Sequence, residues 1–207
     1  MDLSFGPEYD DFRSDVVKFL NNNSDKAPKG GDLRGEQAKD WQKLLIENGY
    51  TCRTIPKEYG GFGAEPDIIK SRIIGEEFSK SRVNPGLGGQ GISMLVPTLL
   101  EMGTEEQKQK FIRPTIHGDM IWCQGYSEPG AGSDLASLTT AAVLDGDEWV
   151  VNGQKIWTST AHLADWIFCL VRSEPDAPKH KGISFLLFEM TTPGIEIRPV
   201  SYTHLTL

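Results

Sequence analysis

Along the N-terminal part of the chain the apolar positions recur with the spacing of a helix. Phe12, Val16, Phe19 and Leu20 fall on one face, Trp41, Leu44 and Leu45 on another, and Ile69, Ile73, Ile74 and Phe78 on a third. Ile92, Leu95, Val96, Leu99 and Leu100 follow the i, i+3, i+4, i+7, i+8 stripe of a buried helix. Thr104, with Gln107 three residues on, reads as a capping box opening a short helix through Phe111. Glycine- and proline-rich breakers separate these segments at residues 26–31, 59–63 and 84–86.

From about residue 120 the pattern changes to short β-branched and aromatic runs. Asp145-Gly146 and Asn152-Gly153 are hairpin dipeptides, which predicts an antiparallel meander, with further strands over Trp166–Val171 and Ile183–Phe188. Helices first and strands afterwards make an α+β layout, divided into a helical domain over 1–119 and a β-domain over 120–207.

Charge narrows the partners. The formal net charge of −8 disfavours nucleic acid or an anionic membrane, both of which reward clustered lysine and arginine. Three widely spaced cysteines, Cys52, Cys123 and Cys169, suggest neither a disulfide framework nor a thiolate metal site, and the acidic N-terminus has no apolar leader. No run of about 18 apolar residues is present to span a membrane. These features predict a cytoplasmic protein with no metal.

Two familiar motifs fail on context. Gly86, Gly88 and Gly91 spell GxGxxG, but the preceding KSRVNP is not a buried strand, so a flexible turn before a core helix is expected instead of a dinucleotide fold. Ser127 in GYSEPG misses the GxSxG spacing by one residue, and the four histidines are scattered, which gives no basis for a hydrolytic triad. His162 and Asp165 alone do not make a metal site.

The stretch WCQGYSEPGAGSDLASL, residues 122–138, is different. It is rich in glycine and serine yet carries no basic residue, whereas a phosphate cradle ordinarily has one. It pairs with Ile156-Trp157-Thr158-Ser159-Thr160, an indole followed by three hydroxyls. Neutral amides, hydroxyls and an aromatic face suit a flat redox ring such as isoalloxazine, on which negative charge builds only during reduction. The competing reading makes Trp157 a core aromatic on a strand and the loop a tight connection.

At these residues the chain resembles the acyl-CoA dehydrogenase family. The resemblance rests on CQGYSEPGAGSDLASL, on DGDEWVVNGQKIWTSTAHLADW, and on IPKEYGGFG and EEQKQKFIRPTIHGD upstream, and covers residues from about 10 to 200. It implies an N-terminal all-α helical domain, an antiparallel β-barrel-like middle domain, and FAD with its ring against the latter. Carried over residue by residue, the flavin-contacting stretch runs from Gln124 through Ser133, including Gly125, Tyr126, Ser127, Gly132 and Ser133, and continues at Trp157, Thr158 and Ser159. In this mapping Ser127 lies beside N5 and O4, Trp157 packs on the ring, and Ser133 also touches the acyl-CoA thioester. The implied reaction is α,β-dehydrogenation of acyl-CoA, with hydride passing to flavin N5 and electrons leaving to an electron-transferring flavoprotein. A homo-oligomer is implied for the full-length protein.

Family members continue into a C-terminal four-helix domain that carries the catalytic glutamate, whereas this sequence stops at Leu207 after a tail, SYTHLTL, that does not continue the pattern. The expectation is therefore a fragment without its catalytic base, binding FAD weakly or not at all and inactive alone. Glu128 and Asp134 are expected to fix the loop and not to replace the base. A flavin oxidase or monooxygenase of the same fold, or a non-catalytic subunit that keeps it, are the alternatives.

Overall fold

The computed structural model describes residues 6–30 and 34–198, which divide into two compact units, 1–119 and 120–207. The SYTHLTL tail lies outside the described residues.

The first unit is helical: α1 (Pro7–Asn23), α2 (Glu36–Glu47), α3 (Ile68–Ser81), α4 (Val96–Met102) and α5 (Glu105–Ile116). The periodic faces meet as expected. Val16, Phe19, Leu20, Trp41, Leu45, Ile73, Ile74 and Phe78 form one buried cluster, with Phe12, Leu44 and Ile69 packed on it. Asp67 caps α3 by accepting the Lys70 amide at 2.9 Å. Thr104 and Gln107 close the capping box of α5, as read from sequence.

Two local features depart from the sequence pattern. The stripe from Ile92 to Leu100 is not one α-helix, because a π-helical turn over Gly91–Leu95 precedes α4. The last helix continues past Phe111 to Ile116 with Pro114 inside it; burial of Ile112, Thr115 and Ile116 offsets the backbone bond that the proline cannot make.

The GxGxxG glycines have an internal explanation. Gly86 sits at φ +99°, and a Cβ there would lie 2.5 Å from Gln42 Oε1. Gln42 is completely buried and satisfied: Nε2 donates to the Ile116 carbonyl at 2.8 Å, and Oε1 accepts the Leu87 amide at 2.8 Å. The turn before the core helix is thus shaped around a buried amide, and no strand precedes it among the described residues.

The second unit is a five-stranded sheet of β1 (Trp122–Gly125), β2 (Ala141–Asp145), β3 (Glu148–Asn152), β4 (Trp166–Arg172) and β5 (Ile183–Glu189). Antiparallel pairs β2–β3 and β4–β5 supply most of its ladder. β4 also runs parallel to β1, with Gln124 opposite Phe168, and touches β2 through Ala141 and Arg172. The sheet is therefore mixed and open, with β3 and β5 each paired to a single neighbour among the described strands. Cys123, Ala142, Ile167, Cys169 and Val171 form its core.

Asp145-Gly146 makes the expected β2–β3 hairpin, with Asp145 opposite Glu148 and Gly146 at φ +62°. Asn152-Gly153 does not turn the chain into another strand. β3 ends there, and Gly153 is needed for close approach, since a Cβ would lie 2.3 Å from Thr140 Oγ1.

Candidate functional site

The loop after β1 and the segment after β3, far apart in sequence, are joined where Ile156 N–H donates to the Ser127 carbonyl at 2.9 Å. Within the loop, Glu128 and Ala131 exchange backbone bonds of 2.8 and 3.1 Å, closing a tight turn around Pro129 and Gly130. The two stretches singled out from sequence are physically one structure.

Its centre is an ion pair. Lys155 Nζ reaches Glu128 Oε1 at 2.9 Å, with side-chain exposures of only 10% and 4%. The same ammonium donates to the Tyr126 carbonyl at 3.1 Å. Glu128 also accepts from the Thr139 amide (2.7 Å), the Thr139 hydroxyl (2.8 Å) and the Thr140 amide (2.9 Å). Burial favours the neutral acid, but the Lys155 ammonium and the threonine donors outweigh it and hold the carboxyl at about 2. Glu128 is therefore a fixed anion that organises the loop and a poor proton acceptor.

Asp134 is likewise structural. It is exposed, accepts from Ser137 Oγ and Lys179 Nζ, each at 2.5 Å, and its carboxyl is lowered by the Lys179 contact first and by Ser137 next. Arg172 secures the short turn at Leu135–Ser137 by donating to the Ala136 carbonyl at 2.6 Å.

The residues mapped to a ring-binding role fall into two groups. Gly125 and Tyr126 are engaged by the sheet: a Cβ on Gly125 would lie 2.9 Å from Ile167 and 3.0 Å from Cys169, and the Tyr126 ring meets Phe168 edge-on at 5.8 Å. Gln124 lies half-buried on β1. By contrast, the Ser127 amide and hydroxyl have no partner among the described residues, although its carbonyl is bound, and the Ser133 and Ser159 hydroxyls are also unengaged there. Ser133 and Ser159 are exposed, as are Gly130 and Gly132. Neither glycine has a positive φ or any atom within 4 Å of an added Cβ, so no internal contact accounts for their lack of a side chain.

Trp157 is not a core aromatic on a strand. It lies beyond β3, is 69% exposed, and holds a left-handed φ of 60°, an uncommon and strained conformation for a bulky residue. The Ser159 amide bonds back to the Trp157 carbonyl at 2.9 Å, folding a tight turn around Thr158. Thr158 Oγ1 is buried with no hydrogen-bond partner among the described residues. An orphaned buried hydroxyl, a displayed indole and unengaged serine donors form a donor set that fits a neutral, heteroatom-rimmed ring such as that of FAD.

Lys155 escaped the sequence reading, although a signal was present. A glutamate in a loop of small residues needs a counter-ion if buried, and Lys155 is the single lysine or arginine between Asp147 and Asp165. His162 and Asp165 serve no metal cluster; Asp165 Oδ2 accepts the Ile121 amide at 2.8 Å, and no group of three or more metal-ligating side chains occurs among the described residues.

Comparison with known proteins agrees with this arrangement. The acyl-CoA dehydrogenase N-terminal domain model matches residues 6–119, and the acyl-CoA dehydrogenase middle domain model matches residues 123–204. Acyl-CoA dehydrogenase IpdE1 of Mycobacterium tuberculosis is 43% identical over 165 residues, covering 80% of this chain and 42% of that protein. Acyl-CoA dehydrogenase FadE29 of the same organism is 43% identical over 203 residues, covering 97% and 51%. Among solved structures, the Tcur3481-Tcur3483 steroid ACAD superposes with a TM-score of 0.74 at 36% identity, covering 97% of this chain and 52% of that one. The chain thus spans about half the length of these relatives. With both domain models matched in order across nearly the whole sequence, the chain belongs to the acyl-CoA dehydrogenase family.

Proposed function

We propose that this chain is the flavin-binding portion of an FAD-dependent acyl-CoA dehydrogenase. The observation that carries the reading is the joined pair of segments around Ser127 and Ile156, which gathers donors of Ser127, Ser133, Thr158 and Ser159 that are unengaged among the described residues beside an exposed Trp157. FAD bound there would supply the two-electron, hydride-accepting chemistry for α,β-dehydrogenation of an acyl-CoA thioester.

The residues of the chain bind and orient. Ser127 would offer an amide and a hydroxyl to the ring's polar edge, Thr158 and Ser159 would add hydroxyls, and Trp157 would cover a ring face. Ser133, exposed at the end of the loop, serves the thioester side. No local carboxylate suits abstraction of the α-proton, because Glu128 is held ionised by four donors and Asp134 is paired with Lys179. In this reading the base lies outside the described residues, and the chain alone binds FAD weakly or not at all and has no turnover. Acyl-CoA, an electron-transferring flavoprotein and further copies of the protein are the proposed partners. The free thiols of Cys52, Cys123 and Cys169 support a reducing cytoplasmic setting.

The test is a titration of the full-length protein with FAD, following quenching of Trp157 fluorescence against a Trp157→Phe control. Acyl-CoA thioesters, straight-chain and steroid-derived, are then added anaerobically to the FAD-loaded full-length protein. Saturable quenching and bleaching of the visible flavin band are expected; absence of both would overturn the proposal.

A further inference from the structure

The geometry points to Lys155 as a positioning residue for the flavin ring, acting through the Tyr126 carbonyl and the Glu128 carboxylate. This inference rests on the flavin reading above and extends it to a residue that does not itself face the ring.

Lys155 Nζ bridges two acceptors, Glu128 Oε1 at 2.9 Å and the Tyr126 carbonyl at 3.1 Å, that flank Ser127 in sequence. The next residue along, Ile156, donates its amide to the Ser127 carbonyl. Three consecutive loop residues, Tyr126, Ser127 and Glu128, are therefore held by two consecutive residues of the other segment. The carbonyls of Tyr126 and Ser127 are committed to this junction, whereas the Ser127 amide and hydroxyl remain unengaged among the described residues. Trp157, whose backbone is left-handed, follows directly. The clamp fixes both the loop donors and the start of the indole-bearing turn against one another, which a ring needing simultaneous contact with both requires.

Charge explains why the clamp is an ion pair. A lone ammonium in this position would place a permanent cation beside the ring-binding segments, and Glu128 cancels it. The loop is neutral toward its ligand even though a lysine holds it together.

Removing one partner strands a buried charge, so the decisive variant removes both: Lys155→Met with Glu128→Gln. Circular dichroism and thermal melting report the fold, Trp157 quenching reports FAD affinity, and the visible band of bound FAD reports ring environment. A folded double variant is expected to bind FAD about tenfold more weakly and to shift or blur that band, since a misaligned site loses binding without losing its scaffold. A folded double variant with unchanged affinity and spectrum shows that the pair is merely structural and overturns the inference. If the double variant does not fold, Lys155→Arg decides. Its planar head keeps the charge opposite Glu128, but the longer, rigid fork does not fit the nearly buried place of the ammonium without moving the Tyr126 and Glu128 acceptors. Weaker FAD binding supports the clamp, and unchanged binding overturns it. Full-length wild-type protein, in which all these variants are made, that never binds FAD defeats the flavin reading itself and this inference with it.

Discussion

The Ile156 amide donates to the Ser127 carbonyl at 2.9 Å, so the serine is anchored by its backbone while its hydroxyl has no partner among the described residues. Ser127→Ala should therefore leave folding almost untouched, with a change in stability within about 0.5 kcal/mol, because no internal bond of the hydroxyl is lost. FAD retention or the rate of flavin reduction in the full-length protein should fall by about tenfold, the scale of one lost hydrogen bond to a charge-bearing edge. Equal flavin content and an equal reductive half-reaction would remove Ser127 from the site.

Glu128 predicts an acid limit for the β-unit. Its carboxyl is held at about 2 in the folded chain against an ordinary value of 4.5, so the folded state binds fewer protons than the unfolded one. The contribution to stability is fully present above the unfolded value and is lost as the pH falls from there through about 2. The gap corresponds to roughly 3 kcal/mol. Denaturant melts followed between neutral pH and pH 3 should show this decline, and the paired Glu128→Gln, Lys155→Met variant should show a flatter profile. A variant profile as steep as that of the wild type would assign the acid sensitivity to other carboxylates.

In the helical unit, Gln42 predicts a large effect from a conservative change in size. Gln42→Leu leaves the Ile116 carbonyl and the Leu87 amide without their 2.8 Å partners in a fully buried place. The expected cost is about 2 to 4 kcal/mol, seen as a lower midpoint in urea. A midpoint within error of wild type would mean that water replaces the amide.

How far the sequence reaches is clearest where local and nonlocal forces differ. Val16, Leu20, Trp41 and Ile73 were legible because a helical face repeats within a single segment. The Asp145-Gly146 hairpin was legible because its left-handed glycine is a local requirement. Gly153 carries the same dipeptide signal for another reason, the nearness of Thr140, which only the folded sheet reveals. The parallel pairing of Gln124 with Phe168 joins strands far apart in sequence and leaves no periodic trace. The loop after β1 and the segment after β3 could be matched by their chemistry, but the Lys155 ion pair between them could not, since a lysine beside a strand end ordinarily faces water.

Thr158 gives the sharpest separation of stability from function. Its Oγ1 is buried without a partner among the described residues, so the folded protein without flavin already bears the desolvation cost of that hydroxyl. Thr158→Val keeps the shape and β-branching and removes only the polar atom. Without FAD, the variant should therefore be as stable as wild type or more so by about 1 kcal/mol, read as an equal or higher melting temperature. With FAD the order should reverse, because wild type gains a hydrogen bond on binding that valine cannot make, and the stabilisation produced by saturating FAD should be smaller in the variant. A variant that melts several degrees lower without FAD would show that the hydroxyl already has a partner inside the fold, and Thr158 would then be an ordinary structural threonine.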